Sequence, residues 1–272
     1  MVGERTFRAD LRMGLGFPSV LSVLGVVLSF CFDNFESLRG CWRNPYIYRE
    51  NSVNCVVYYV FNSFSFGGVF SQYFCPMLAA VPLACSYCVE KQGRLLIYKV
   101  TRCGRIAYTR SKFLSASLLG GGALALGTLL FMLVLGSFLP VVTPQKLLES
   151  DWIPYFDALN TGNGTAYLGI ILYIVFLNGC LWSSVGLCAS AFFPNRYVAL
   201  SAPLVAQFLL MELERMLKLP GEFRLCLLMS ARTRLYSDGV TLAVLTGTVL
   251  FLIFVLHRVF AKKVERGLLD AS

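Results

Sequence analysis

The sequence predicts an all-α polytopic membrane protein. Of its 272 residues 57% are hydrophobic and only 14% are charged, where soluble domains average about 45–50% and 25%. Several apolar runs also exceed the roughly 18 residues that mark a membrane-crossing helix. A third observation orients the chain: one loop, VEKQGRLLIYKVTRCGRIAYTRSK over 89–112, holds seven basic residues against the single acid Glu90.

The first twelve residues, MVGERTFRADLR, place Phe7 and Leu11 at i, i+4 among alternating charges and predict a short N-terminal interfacial helix. The first span follows over 13–32. Its apolar run is too long for a cleaved signal peptide and lacks an A-x-A site, and Pro18 lies in its first turns, where proline is tolerated. Residues 33–65 read as a polar-aromatic loop whose Trp42, Tyr46, Tyr48, Tyr58 and Tyr59 suit a headgroup surface. Cys41 and Cys55 share that loop and could pair if it is external.

The second span, 66–88, contains Pro76 and Pro82. Each removes a backbone donor, and in a bilayer the freed carbonyls need protein or water partners. This helix is therefore expected to be kinked and turned toward its neighbours. The third span, 113–140, opens with SASLLGGGALALG, where Gly120, Gly121 and Gly122 predict close helix packing. No phosphate loop of the form GxxxxGK[ST] occurs in the chain.

Residues 141–166 are acidic and include the glycosylation pattern Asn163-Gly164-Thr165. The fourth span, 167–192, carries Asn178, Ser183, Ser184 and Ser190, groups that hydrogen-bond between helices. FPNRY then turns the chain into the fifth span, 197–216. Glu212 and Glu214 fall in its last turns, placed to reach headgroups or Arg215 and Lys218. The piece 217–237 is too short and too charged to cross and return, which predicts a re-entrant or interfacial segment. The sixth span is 239–260. Residues 1–272 thus form a single transmembrane domain.

Six spans place both termini on one side. That side holds three basic residues before the first span, seven in the loop, Arg196 and four in the tail, fifteen of the 24. The bias puts both termini and the basic loop in the cytoplasm. A net charge of +9 with no soluble fold to carry it reads as orientation and lipid contact, not nucleic-acid binding. His257 is the only histidine and lies at the end of the last span, which excludes a histidine-rich metal site and leaves a Ser–His dyad without a membrane-depth histidine. Cys85 and Cys88 form a CxxC without a redox strand-to-helix context or a second pair for zinc. Mid-membrane ionisable residues and repeated halves, the marks of ion-coupled transport, are absent.

Within the basic loop, helical spacing places Leu96, Ile97, Val100 and Cys103 on one face. Arg94, Tyr98, Lys99, Thr101 and Arg102 take the other, with Leu95 the exception. Such a helix suits either anionic lipid or a cytoplasmic partner.

Pro76, Pro82, Glu90, Lys91, Gly93, Tyr98, Arg102, Tyr108, Ser111, Lys112 and Phe113 make up a compound pattern. It consists of a proline-bearing span, an acid–basic–glycine start, tyrosine and arginine at helical spacing, and S-K-F before a small-residue helix. A second block is AFFPNRYVALSAPLVAQFLL, 191–210. Together they resemble bacterial ATP-binding-cassette (ABC) permeases of the type-2 export class, with Cys85 and Cys88 departing from that class's small or polar residues. The resemblance implies a six-helix permease half in the cell membrane, paired with a second permease chain as a homo- or heterodimer. An ABC ATPase subunit would dock on the loop as a coupling helix, through Glu90, Arg94, Tyr98, Arg102 and Arg105. ATP would be bound and hydrolysed by that partner, leaving this chain without cofactor or catalytic role, and 217–237 would be the extracellular re-entrant element. The alternative is a non-transporting membrane scaffold or sensor whose basic loop binds anionic lipid.

Overall fold

A computed structural model describes residues 2–43, 55–65, 68–93, 95–141, 155, 164–233, 235 and 237–269, and no strand occurs among them. The helices are α1 (Val2–Gly14), α2 (Phe17–Asp33), α3 (Phe35–Arg43), α4 (Val56–Ser65), α5 (Val69–Ala80) and α6 (Ser86–Gln92). They continue as α7 (Leu95–Cys103), α8 (Arg105–Gly136), α9 (Gly164–Phe192), α10 (Arg196–Met216), α11 (Leu225–Met229) and α12 (Asp238–Leu269). A 3-10 turn, Gly221–Phe223, precedes α11. Arg94, the glycosylation pattern's Asn163 and the side chain of Cys41 lie outside the described residues.

Four helices among the described residues, α8, α9, α10 and α12, are long and apolar enough to cross a membrane. A fifth is added if α1 and α2, which meet at a 49° bend, count as one span. The expected second span is two shorter helices, α5 and α6, separated by turns at 81–85. Proline explains the break. With no N–H, Pro82 cannot continue the hydrogen-bond ladder to Leu78.

Both prolines of this segment free a carbonyl, and both carbonyls find side-chain partners. Pro76 leaves the Gln72 oxygen without its helical donor, and Gln207 Nε2 of α10 donates to it at 2.7 Å. The Leu78 oxygen accepts from the Val81 N–H at 3.2 Å and also from Ser22 Oγ of α2 at 2.7 Å. In lipid an unmet carbonyl costs several kcal/mol, so Gln207 fixes which neighbour α5 faces at Gln72, and Ser22 adds a second contact to α2.

The centre of the bundle is the α8–α9 pair. Over their most apolar stretches 56% and 61% is buried, against 17% for α10 and for α12. Lipid tails are as apolar as leucine, so this contact rests on close packing and hydrogen bonds. A Cβ on Gly120 would lie 2.3 Å from that of Ser183, and one on Gly121 2.5 Å from Cys180 Sγ. Beside Gly122 there is open space, so it takes no part in this contact. Ser183 Oγ donates to the Ala116 carbonyl at 2.8 Å, and the hydroxyls of Ser117 and Ser184 are 2.6 Å apart. Helix α2 leans on α8 where Gly127 meets Val26 and Phe30 stacks on Phe131 at 5.1 Å.

The segment between α10 and α12 reaches into the bundle. Asn178, midway along α9, donates to the Met229 carbonyl at the end of α11 at 2.8 Å. From the start of α9 that level is about 21 Å along the axis at 1.5 Å per residue. Glu214 is buried, and its Oε1 accepts from the Cys226 N–H at 3.2 Å. The expectation that Glu214 reaches headgroups is therefore corrected: it serves the unmet donors at the start of α11. Glu212 does pair with Arg215, at 2.8 Å.

Candidate functional site

The basic segment folds as the end of α6, a turn at Gly93, α7, a turn at Gly104 and the start of α8. Gly104 has φ +80°, a left-handed conformation that L side chains resist, and it lets α8 leave α7 at once. Helix α8 starts at Arg105, earlier than the span boundary expected at 113.

Between these helices lies an ionic cluster. Lys112 is fully buried, with Nζ 2.5 Å from Glu90 Oε1 and 3.1 Å from Asp10 Oδ1. Lys99 Nζ of α7 donates to the same Glu90 oxygen at 2.7 Å, and the Tyr108 hydroxyl donates to Oε2 at 2.5 Å. Two cations thus face two carboxylates. Removing an ion from water costs several kcal/mol, and only close opposite charge with full hydrogen bonding offsets it. Here both conditions are met. Burial pushes the Glu90 carboxyl up, but the charge of Lys112 and hydrogen bonds from Lys112, Lys99 and Tyr108 outweigh it. The group titrates below the ordinary 4.5.

The cluster ties α1 through Asp10, α6 through Glu90, α7 through Lys99 and α8 through Lys112 and Tyr108. Apolar packing reinforces it: Leu96 of α7 is buried with Tyr87, Tyr108, Phe260 and Val264, and Val100 and Leu11 pack against them. Helix α6 is also fastened to the α9–α10 turn. Gln92 Nε2 donates to the Pro194 carbonyl at 2.7 Å, the Cys88 thiol faces the carbonyls of Ser190 and Phe193, and the Cys85 thiol faces that of Arg196 at 3.3 Å. The CxxC cysteines are thus weak donors to one turn. Among the described residues no group of three metal-ligating side chains gathers. His257 packs edge-on against Phe113 at 5.2 Å.

Of the expected coupling residues, Tyr98 (65% exposed) and Arg102 lie on the surface. Glu90 is buried at the centre of the cluster, and Arg105 pairs with Glu265 of α12. Glu90 therefore holds the helix from within, whereas the Arg105–Glu265 pair ties α8 to α12 at the surface. The face pattern also differs from expectation, since Ile97 is exposed with Leu95 while Lys99 turns inward. Leu95, Tyr98 and Arg102, at i, i+3 and i+7, form one outward face. The loop is not uniformly solvated, because Lys112 lies wholly inside.

No family model, curated protein or solved structure matches this chain.

The part that sequence reasoning missed is the pairing itself. Local sequence reads Asp10 as part of an interfacial helix and Lys112 as part of a solvated loop. A signal was present: Lys112 opens an uninterrupted apolar run, Tyr108 stands at i−4 on the same face, and Glu90 is the loop's single acid.

Proposed function

We propose that this chain is the permease subunit of an ATP-driven ABC exporter, working as a dimer and driven by a separate ATPase that docks on α7. One observation carries the reading: α7 is clamped on its inner side by a buried ionic cluster shared with three other helices, while Leu95, Tyr98 and Arg102 face outward. A helix that only rests on lipid would turn its apolar side to the acyl boundary and needs no such clamp. A helix that transmits force needs a rigid inner connection and an exposed outer grip. Tyrosine and arginine are the side chains enriched where binding energy concentrates.

In this reading the six spans are 13–32, 66–88, 113–140, 167–192, 197–216 and 239–260, with both termini and α7 in the cytoplasm. Displacing α7 would move Glu90 and Lys112 together. Helix α6 would then turn about the break at 81–85 while α8 shifts with it. The apolar outer faces of α10 and α12 are available to lipid and to the second permease chain. Hydrolysis takes place in the partner.

The test uses Tyr98→Ala with Arg102→Glu, both surface changes that leave the ionic cluster intact. The expected result is loss of co-purification with an ATPase encoded beside the gene and loss of ligand-stimulated hydrolysis. If both persist in the double variant, the docking reading is wrong. If the variant loses only its retention on anionic vesicles, the lipid-binding scaffold is the better account.

A further inference from the structure

A cavity of about 50 Å³ lies in the bundle, among α2, α4, α5, α8, α9, α10 and the α11 segment. It is separate from the basic end of the molecule. Among the described residues no charged side chain lines it; its polar groups include Gln72, Asn178 and Gln207, and Trp182 and Phe30 are among its aromatic walls. An ion entering such a site would lose its hydration without a countercharge, so the chemistry admits only uncharged groups. Pockets for whole drug-sized ligands run to about 300–1,000 Å³. This one takes the end of a molecule.

All three amides already donate, Gln72 Nε2 weakly to Met211 Sδ at 3.8 Å. Asn178 Nδ2 donates to the Met229 carbonyl, holding α11 in place. Gln207 Nε2 donates to the Gln72 carbonyl that Pro76 leaves unmet. That bond fixes the orientation of the Gln207 amide, because a carbonyl oxygen can only accept. The other end, Oε1, is buried and has no hydrogen-bond partner among the described residues. Leaving an acceptor in that condition costs about 1–3 kcal/mol, which a donor-bearing ligand would recover.

We propose that this cavity binds the hydroxyl or amide N–H end of a small uncharged molecule, with Gln207 Oε1 as the acceptor. The aromatic walls take the apolar part next to that donor. Because the same amide bonds the Gln72 carbonyl that Pro76 leaves unmet, occupancy bears directly on the proline-broken segment that runs on to α6.

Cys75 and Cys226 line the cavity and are free thiols, so the wild-type chain carries its own reporters. Full-length protein in micelles is labelled with N-ethylmaleimide, and site-resolved mass spectrometry follows both thiols, with Cys103 as a reference outside the cavity. The probes are benzyl alcohol, toluene, which has the ring without the donor, and benzoate, which is charged. Benzyl alcohol is expected to slow labelling of Cys75 and Cys226 at least threefold relative to Cys103, with toluene giving less than half that protection and benzoate none. Gln207→Leu should reduce benzyl alcohol to the level of toluene. Since that variant also unpairs Gln72, the wild-type contrast between the two probes decides the matter if it misfolds. Equal protection by alcohol and hydrocarbon, equal slowing at Cys103, or failure of the two thiols to label would each overturn the site. None of these outcomes depends on an ATPase binding α7, so the site and the permease reading fail separately.

Discussion

Replacing Lys112 with Met removes the one cation that Glu90 and Asp10 share while keeping a long unbranched side chain in its place. Asp10, 4% exposed, then loses the cation paired with it in the cluster, whereas Glu90 keeps Lys99 and the Tyr108 hydroxyl. Removing one partner of a buried pair costs about 3–5 kcal/mol. Because one of the two carboxylates remains served, the expected loss is at the lower end, about 3 kcal/mol, close to a hundredfold in the folding equilibrium. Equilibrium unfolding in mixed micelles measures it. Adding Asp10→Asn to Lys112→Met neutralises the stranded carboxylate and should recover at least about 1 kcal/mol, a coupling that independent sites would not show. If Lys112→Met unfolds within about 0.5 kcal/mol of wild type, or if the two changes simply add, the ionic anchor does not hold these helices.

Two other outcomes follow from the same packing. The folded Glu90 carboxyl titrates below its ordinary 4.5, so its contribution is complete above that value and disappears as pH falls through the lower folded one. Unfolding midpoints should therefore be level on this account from about pH 7 to 5 and drop below, and Glu90→Gln should flatten the drop. Gly120→Val inserts carbon where only 2.3 Å separates a Cβ from Ser183 and should destabilise the α8–α9 pair by about 1–3 kcal/mol. Gly122→Ala, facing open space, should instead be neutral or stabilise by up to about 1 kcal/mol through helix propensity. A reversal of that order in thermal unfolding would contradict the assigned contact face.

Much of the fold was legible because membrane helices are local objects. The apolar runs behind α8, α9, α10 and α12 announce themselves by length and composition, and each is a helix. The proline pair also announced its consequence, since a missing N–H in lipid demands a substitute donor. Which donors would serve was not legible: Ser22 lies 56 residues from Leu78, and Gln207 lies 135 from Gln72. The break in the second segment was legible, since Pro82 divides its apolar run into α5 and α6.

The candidate site divides in the same way. That 89–112 would be basic, partly helical and set apart from the spans is written in its residues. That Lys112 is buried is not, because its partner Asp10 stands 102 residues away and a lone lysine in a loop reads as solvated. Helical spacing groups Ile97 with Leu96, Val100 and Cys103 on one face, whereas the tertiary contacts turn Lys99 inward toward Glu90 and leave Ile97 outside.

By itself, then, the sequence determined an all-helical chain with several membrane-length segments and a basic stretch between two of them. Hydrophobicity and periodicity act over neighbouring residues and need no fold to be read. The tertiary structure decided which charges are surface and which are core, and which carbonyl each amide serves. It also decided which glycines carry a contact. Those depend on groups brought together from distant parts of the chain, and burial converts each such meeting from a weak surface interaction into one worth several kcal/mol.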